Sequence, residues 1–318
     1  MLFLSAKDID SVIEVSAMID AIEEAYHIQA SGDYTMPQRM HVDHGKNTLL
    51  LMPCLADRSL STKLVTVYTG NADIDTPVIN GMVILSDGST GEPLAVMDGA
   101  KLTAHRTGAV GGVAFRYLGN KEIKKIGLVG AGVQGYHQLL YTCSETAISE
   151  VLVYDANPER LSEFISNIDI PVSRITESQS AQKLVEEVDL IITATSSQEP
   201  VLPDKEGIYT GKTIIAVGSY RPDMRELPQK FFEVCDRIFV DTMHAIMESG
   251  DINDPYKNRW YRNDMLPMAE LVTGNTRIRE NEHTLLFKSV GMALFDNVAA
   301  RLLYREALQK GIGTEINL

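Results

Sequence analysis

Cysteine is scarce in this chain, with three residues, Cys54, Cys143 and Cys235, in 318. They lie far apart, form no Cys-x-x-Cys and make no even set, which excludes a disulfide framework and reads as reduced, buried thiols. Positive charge is the minority sign: 29 Lys and Arg against 43 Asp and Glu leave a formal net charge of −14. Nucleic acid or an anionic membrane surface would ask for a basic patch, so neither is expected as a partner. No apolar run approaches the ~18 residues that cross a bilayer, and no basic start leads into an apolar core and a cleavage site. The expectation is a cytoplasmic protein. Internal repeats, low-complexity segments and charged tails are also missing. Hydrophobic residues at 44% and charged ones at 23% are ordinary globular values, enough for two domains with cores of their own.

What the chain does have is a glycine turn in an informative setting. The apolar run Lys124–Val129 leads into Gly130-Ala131-Gly132-Val133-Gln134-Gly135, a helical pattern follows from Val133 to about Cys143, and a second apolar run, Val151–Tyr154, ends at Asp155. Strand, glycine turn, helix, strand and acid is the order of a dinucleotide site. Gly130 permits the tight turn, Gly132 admits a pyrophosphate to the backbone, and Gly135 lets helix and strand pack closely. Amides at the helix start, at Val133 and Gln134, then bind the anion. Asp155, at the tip of the second strand, can accept from a ribose 2′-hydroxyl and repel a 2′-phosphate, which favours NAD over NADP. Two alternatives stay open: Asp-Ala-Asn-Pro is also a helix-start signal, and Arg160 stands close enough to serve a 2′-phosphate.

In chain order, apolar residues Val15, Met18, Ile19, Ile22 and Tyr26 predict an amphipathic helix over 15–31, with Ser16 as N-cap and Gly32 as stop. Short extended runs follow at Thr48–Met52, Leu60–Tyr68, Val78–Leu85 and Leu94–Met97, the last two joined by the turn sequence Asp87-Gly88-Ser89-Thr90-Gly91. This is a mostly antiparallel sheet with a covering helix. Residues 101–117 read as a helix rich in Gly108, Ala109, Gly111 and Gly112, so something must pack very close to it. Thr103, Arg106, Thr107 and Val110 share one of its faces. Residues 122–241 then alternate strands and helices as a doubly wound parallel sheet requires, with runs at Val172–Ile175, Asp189–Ala194, Thr213–Val217 and Arg237–Val240 and a helix near Ala181–Glu187. Ligands of such sheets sit at the carboxyl ends of strands, which places Thr195 and the loop from Val217 through Tyr220 to Asp223 at the mouth. A long helix over 289–310, with the stripe Met292, Phe295, Val298, Ala299, Leu302 and Leu303, closes the chain and returns to the first domain.

These motifs together resemble the ornithine cyclodeaminase/mu-crystallin family, nearly end to end. The resemblance rests on Thr62-Lys63-Leu64-Val65, Leu94-Ala95-Val96-Met97-Asp98-Gly99, Thr103-Ala104-His105-Arg106-Thr107-Gly108-Ala109, the glycine turn, Ala216-Val217-Gly218, Arg221-Pro222-Asp223 and Ser289-Val290-Gly291-Met292-Ala293. It implies an α/β fold: a Rossmann domain over 118–288 inserted in an α+β domain, 1–117 plus 289–318, that binds substrate and makes a homodimer. It also implies that Arg39, Lys63 and Arg106 hold a substrate carboxylate. The chemistry agrees, since an α-amino or α-imino acid suits an arginine fork, and a lysine near two arginines loses its proton more readily. Thr107, Val133, Gln134, Thr195 and Val217 complete the cofactor set with Gly130, Gly132, Gly135 and Asp155.

One position departs from the cyclodeaminases. Where they carry an Asp on the loop after the Ala-Val-Gly strand, this chain has Tyr220, and a neutral phenol cannot pair a substrate ammonium. Asp223 stands three residues further along as a substitute. The leading expectation is therefore an NAD(P)H-dependent oxidoreductase that reduces a cyclic or N-substituted imino acid, or a reversible amino-acid dehydrogenase. Lys63 and Arg106 are its catalytic residues, with Tyr220 and Asp223 as further candidates for proton transfer. An ornithine cyclodeaminase-type lyase is the alternative, and a nucleotide-dependent binding protein the third reading. Tyr68, Met82 and Tyr220 are candidates to shape the substrate pocket. His41-x-x-His44 has no partner at ligand spacing, so no metal is expected, and His105, about 100° around the helix from Arg106, reads as packing.

Overall fold

The computed structural model describes residues 1–317 except Asp75, Lys121 and Arg262. The chain divides into two compact units, Met1–Arg106 with Met292–Leu318, and Thr107–Gly291.

In the first unit, strands β1 (Leu2–Leu4), β2 (Tyr34–Thr35), β3 (Met40–His44), β4 (Asn47–Ala56), β5 (Ser59–Tyr68), β6 (Ile79–Asp87), β7 (Pro93–Asp98) and β16 (Thr314–Glu315) form one sheet. Its order is β16-β1-β7-β6-β5-β4-β2, with β3 also on β4. Pairing is antiparallel except between β1 and β7. The β6–β7 turn is held by Asp87, whose Oδ1 accepts from the amides of Ser89 and Thr90. Helix α1 (Ala6–Val12) begins with a capping box between Ser5 and Asp8 that the apolar pattern alone did not reveal. Helix α2 (Val15–Ser31) ends at Gly32 as expected, in the left-handed region at φ 76°. Its N-cap is Glu14, however, so Ser16 lies inside the helix. Helix α11 (Ala293–Lys310) packs on α2, β4 and β5, with Tyr26 and Phe295 edge to face at 5.2 Å between ring centres. It starts at Ala293 rather than at 289, because 289–292 has no regular structure and turns at Gly291, whose φ is 75°.

The second unit is a doubly wound parallel sheet of β8 (Lys125–Val129), β9 (Glu150–Tyr154), β10 (Arg174–Glu177), β11 (Leu190–Thr193), β12 (Thr213–Ala216), β13 (Arg237–Val240), β14 (Met265–Pro267) and β15 (Leu285–Lys288). The order is β10-β9-β8-β11-β12-β15-β13-β14, every pair parallel. The order reverses between β8 and β11, the switch point at which such sheets bind ligands. Its helices are α4 (Val133–Glu145), α5 (Pro158–Asn167), α6 (Ala181–Glu187), α7 (Gln229–Val234), α8 (Ala245–Glu248), α9 (Gly250–Asn258) and α10 (Met268–Val272). β10 sits two residues later than the run 172–175 suggested, since Pro171 and Val172 belong to the preceding loop. The central strand β15 has only three apolar residues before Lys288 and was not legible as a strand.

The division between units falls inside helix α3 (Gly99–Leu118). Gly108 and Gly111 are explained within the second unit: a Cβ on Gly108 would stand 2.7 Å from the backbone oxygen of His137 and 2.6 Å from the ring of Tyr141, and one on Gly111 would collide with the Gln138 side chain. The close neighbour that the glycines admit is therefore α4, the helix that follows the glycine turn.

Candidate active site

In the second unit, the residues expected to bind a cofactor gather where β8 ends. Gly130 has φ 109°, which an L side chain rarely adopts, and a Cβ there would lie 2.6 Å from the oxygen of Ala194. Gly132 is the N-cap of α4; no side chain caps the helix there, and a Cβ would meet nothing within 4 Å. The amides at Val133 and Gln134 thus open a helix whose N-terminus has room for an anion. Val133 is 67% exposed beside it.

Asp155 is held rather than loose: Oδ2 accepts from the Ala131 amide and Oδ1 from the Asn157 amide, both at 2.8 Å. The cap of α5 is Asn157, which takes the amides of Glu159 and Arg160, so helix capping is not the role of Asp155. An ionised carboxylate has about four acceptor positions, so two remain for ribose hydroxyls. Arg160 reaches Asp155 only at 3.9 Å. The residues present therefore fit a dinucleotide. Thr195 and Val217 lie just past the ends of the adjacent strands β11 and β12, and the carbonyl of Thr107 accepts from Gln138 Nε2 at 2.6 Å. Tyr220 is 43% exposed on the loop after β12, and Asp223, also exposed, is gripped by Arg221 through both oxygens at 3.0 Å.

The residues expected to bind a substrate lie in the first unit. Lys63 on β5 and Arg106 on α3 are both buried and meet on one carboxylate, Asp296 of α11. Lys63 Nζ is 2.8 Å from Asp296 Oδ2, and Arg106 Nε donates to Oδ1 at 3.0 Å. Burial is the main reason that the Lys63 ammonium is destabilised, with pKa lowered to about 8; Arg106 and Arg39 add to this, while Asp296 opposes it. Arg39, half-buried on the segment between β2 and β3, is thus within electrostatic reach of Lys63. Two cations share one buried anion, with a third cation within electrostatic reach of Lys63.

Asp296 escaped the sequence reading, although Met292, Asp296 and Leu303 share the spacing of one helix face. A carboxylate inside an apolar stripe was the available signal. Its neighbour Asn297 explains the placement: it accepts from Ser59 Oγ at 2.7 Å and donates to Ser61 Oγ at 3.2 Å, which locks α11 to β5.

Period-2 alternation corrects the pocket guess. Ser59, Ser61 and Lys63 are buried on one face of β5, whereas Leu60 and Tyr68 project from the other, and Met82 sits opposite Leu64 on that second face. Tyr68 and Met82 therefore do not share a face with Lys63. His41 and His44, three apart on β3, point to opposite faces. His105 Nε2 pairs with Asp10 Oδ1 at 3.0 Å.

The sequence pattern of the ornithine cyclodeaminase/mu-crystallin family matches residues 1–311. The chain belongs to this family. A family relative, the Delta(1)-pyrroline-2-carboxylate reductase of Bacillus cereus, is 31% identical over 327 residues, covering 99% of each chain. Among solved family structures, the Delta(1)-pyrroline-2-carboxylate reductase of Thermococcus litoralis, in complex with NADH and L-proline, superposes with a TM-score of 0.90. It is 34% identical and the match covers 99% of this chain and 100% of that one. An archaeal alanine dehydrogenase dimer with bound NAD matches with a TM-score of 0.90 and 30% identity, over 100% and 99% of the two chains.

Proposed function

We propose that this chain is an NAD(H)-dependent oxidoreductase that reduces an imino acid to the amino acid, with Delta(1)-pyrroline-2-carboxylate as the first substrate to test. The observation that carries the reading is the shared, buried Asp296 between Lys63 and Arg106. Arg106, turned by its Nε toward Asp296, offers its Nη groups to the substrate carboxylate, and Arg39 adds a second guanidinium. A bound NADH would supply a hydride for the imino carbon. Lys63, with its pKa lowered to about 8, gives the nitrogen its proton, so C=N becomes CH–NH with one hydride and one proton. In the reverse direction the neutral Lys63 amine takes that proton back. The amides opening α4 hold the pyrophosphate, and Asp155 the adenosine ribose, which favours NAD over NADP. Thr107, Gly130, Gly132, Val133, Gln134, Gly135, Thr195 and Val217 form that cofactor site, and Tyr220 and Asp223 belong to the loop over it.

The first unit is the substrate-binding and dimerisation domain. Its sheet turns an apolar face outward at Met40, Val42, Leu55, Leu60 and Met82, all exposed in the single chain, and a second copy is the occupant we assign to it. The alanine dehydrogenase relative is a dimer. Three free, buried cysteines suit a cytoplasmic setting, and among the described residues no helix is long and apolar enough to cross a membrane.

The test is a pair of assays: oxidation of NADH or NADPH with cyclic imino acids, beside ammonia release from ornithine and lysine with NAD. NADH consumption with a cyclic imino acid supports the reductase. Ammonia release with no net cofactor change would replace it by the cyclodeaminase reading.

A further inference from the structure

Behind the ends of β11 and β12 lies a set of buried charges that the proposed chemistry does not use. Glu226, on the segment between β12 and α7, is fully buried. Its Oε1 accepts from the Thr195 amide at 2.6 Å; its Oε2 accepts from the Gly218 amide at 2.8 Å, the Ser219 amide at 3.3 Å and Thr193 Oγ1 at 3.0 Å. One carboxylate therefore ties the loop after β11 to the loop after β12. The two loops also touch directly, since a Cβ on Gly218 would collide with the backbone of Thr195.

Glu226 is itself anchored from below. Asp251, at the start of α9, accepts from the amides of Glu226 and Leu227 at 2.7 and 2.9 Å, and Lys288 at the end of β15 stands 3.2 Å from Asp251 Oδ2 and 4.0 Å from Glu226 Oε2. Two carboxylates and an ammonium in a dry interior are costly to assemble. A carboxylate fully occupied by loop amides has its acceptors turned to the protein rather than to a ligand, so its use is positional.

We infer that Glu226 is a positioning residue that holds the Thr195 loop and the Gly218 loop at a fixed spacing for the nicotinamide half of the cofactor. This rests on the cofactor reading above. In a sheet of this order the halves of a dinucleotide divide at the switch point between β8 and β11. Asp155 and the glycine turn belong to one side, the two loops tied by Glu226 to the other.

The test is Glu226→Gln, of nearly equal size. Oε2 carries three donors, so the amide oxygen takes that place and the NH₂ faces the Thr195 N–H, donor against donor. The link to Thr195 is lost while the link to Gly218 stays. NADH binding, measured by calorimetry, weakens roughly ten- to a hundredfold, the scale of one buried hydrogen bond to a charged group, whereas ADP, which reaches only the glycine-turn half, binds as before. Amide exchange across 193–197 becomes faster without any ligand. Glu226→Ala speeds exchange in both loops. Equal weakening of ADP and NADH would reveal a general loss of structure and overturn the inference, as would unchanged NADH affinity or unchanged exchange at Thr195. A wild-type chain that binds no NADH would sink the cofactor reading, and faster exchange in Glu226→Gln would still show the tie between the loops.

Discussion

At the scale of single residues, the proposed chemistry makes the ammonium of Lys63 the group that sets the pH behaviour. Its pKa falls from 10.5 to about 8 because the group is buried. Imine reduction needs the protonated form, so its rate should fall as pH rises through about 8, while amino-acid oxidation, which needs the free amine, should rise through the same value. Lys63→Ala should lower kcat by about 10²- to 10⁴-fold and abolish this limb. Asp296 is the one neighbour that supports the charged form. Asp296→Asn should therefore move the limb to lower pH, and a limb that stayed in place would remove Asp296 from the site. Stability follows the same linkage with its own sign. Between pH 8 and 10.5 the unfolded chain keeps a proton that folded Lys63 gives up. This residue's contribution to stability thus rises with pH across that window and is least favourable below it. Arg39, Lys63 and Arg106 were named through the resemblance to the family, whereas Asp296 was not, because nothing in 293–310 tells which residue of an amphipathic stripe will face a strand over two hundred positions earlier.

At the scale of elements, helix α3 shows a local cost with a tertiary reason. Gly108 sacrifices roughly 1 kcal/mol of helix propensity relative to Ala. A methyl group there would stand 2.7 Å from the His137 carbonyl, which is backbone and cannot swing aside. Overpacking of this kind costs about 1–3 kcal/mol, so the clash outweighs the propensity. Gly108→Ala should be less stable by up to ~2 kcal/mol in a denaturant titration; a more stable variant would show that α3 and α4 can move apart. The glycines were readable as a demand for close contact, but the identity of the neighbour was not, since helix packing partners are chosen by the fold and not by the helix. Strand β15 illustrates the same limit. Its run of three apolar residues is shorter than the period-based signals require, yet β12 and β13 flank it in the sheet.

At the scale of the whole molecule, the outward apolar face of the first unit's sheet predicts self-association. Met82→Glu should yield a monomer in sedimentation while NADH binding, which belongs to the second unit, survives. A dimer that persisted would move the interface elsewhere. Cofactor choice is also a property of the assembled sheet: Asp155 reaches its place because β9 lies beside β8 and its carboxylate accepts from Ala131. Asp155→Ser should narrow the preference for NADH over NADPH by about tenfold or more, the size expected when one like-charge repulsion is removed.

The sequence alone determined what depends on short-range order: the strand–glycine turn–helix–strand–acid unit, the parallel α/β pattern after it and the antiparallel hairpins before it. These are local because periodicity and turn chemistry act over a few residues. Only the tertiary structure decided which groups share a site. Lys63, Arg106 and Asp296 are far apart along the chain and meet because Asn297 locks α11 to β5. Glu226 ties two loops because four donors from adjacent strands converge on one buried carboxylate, whose burial would be unfavourable without them.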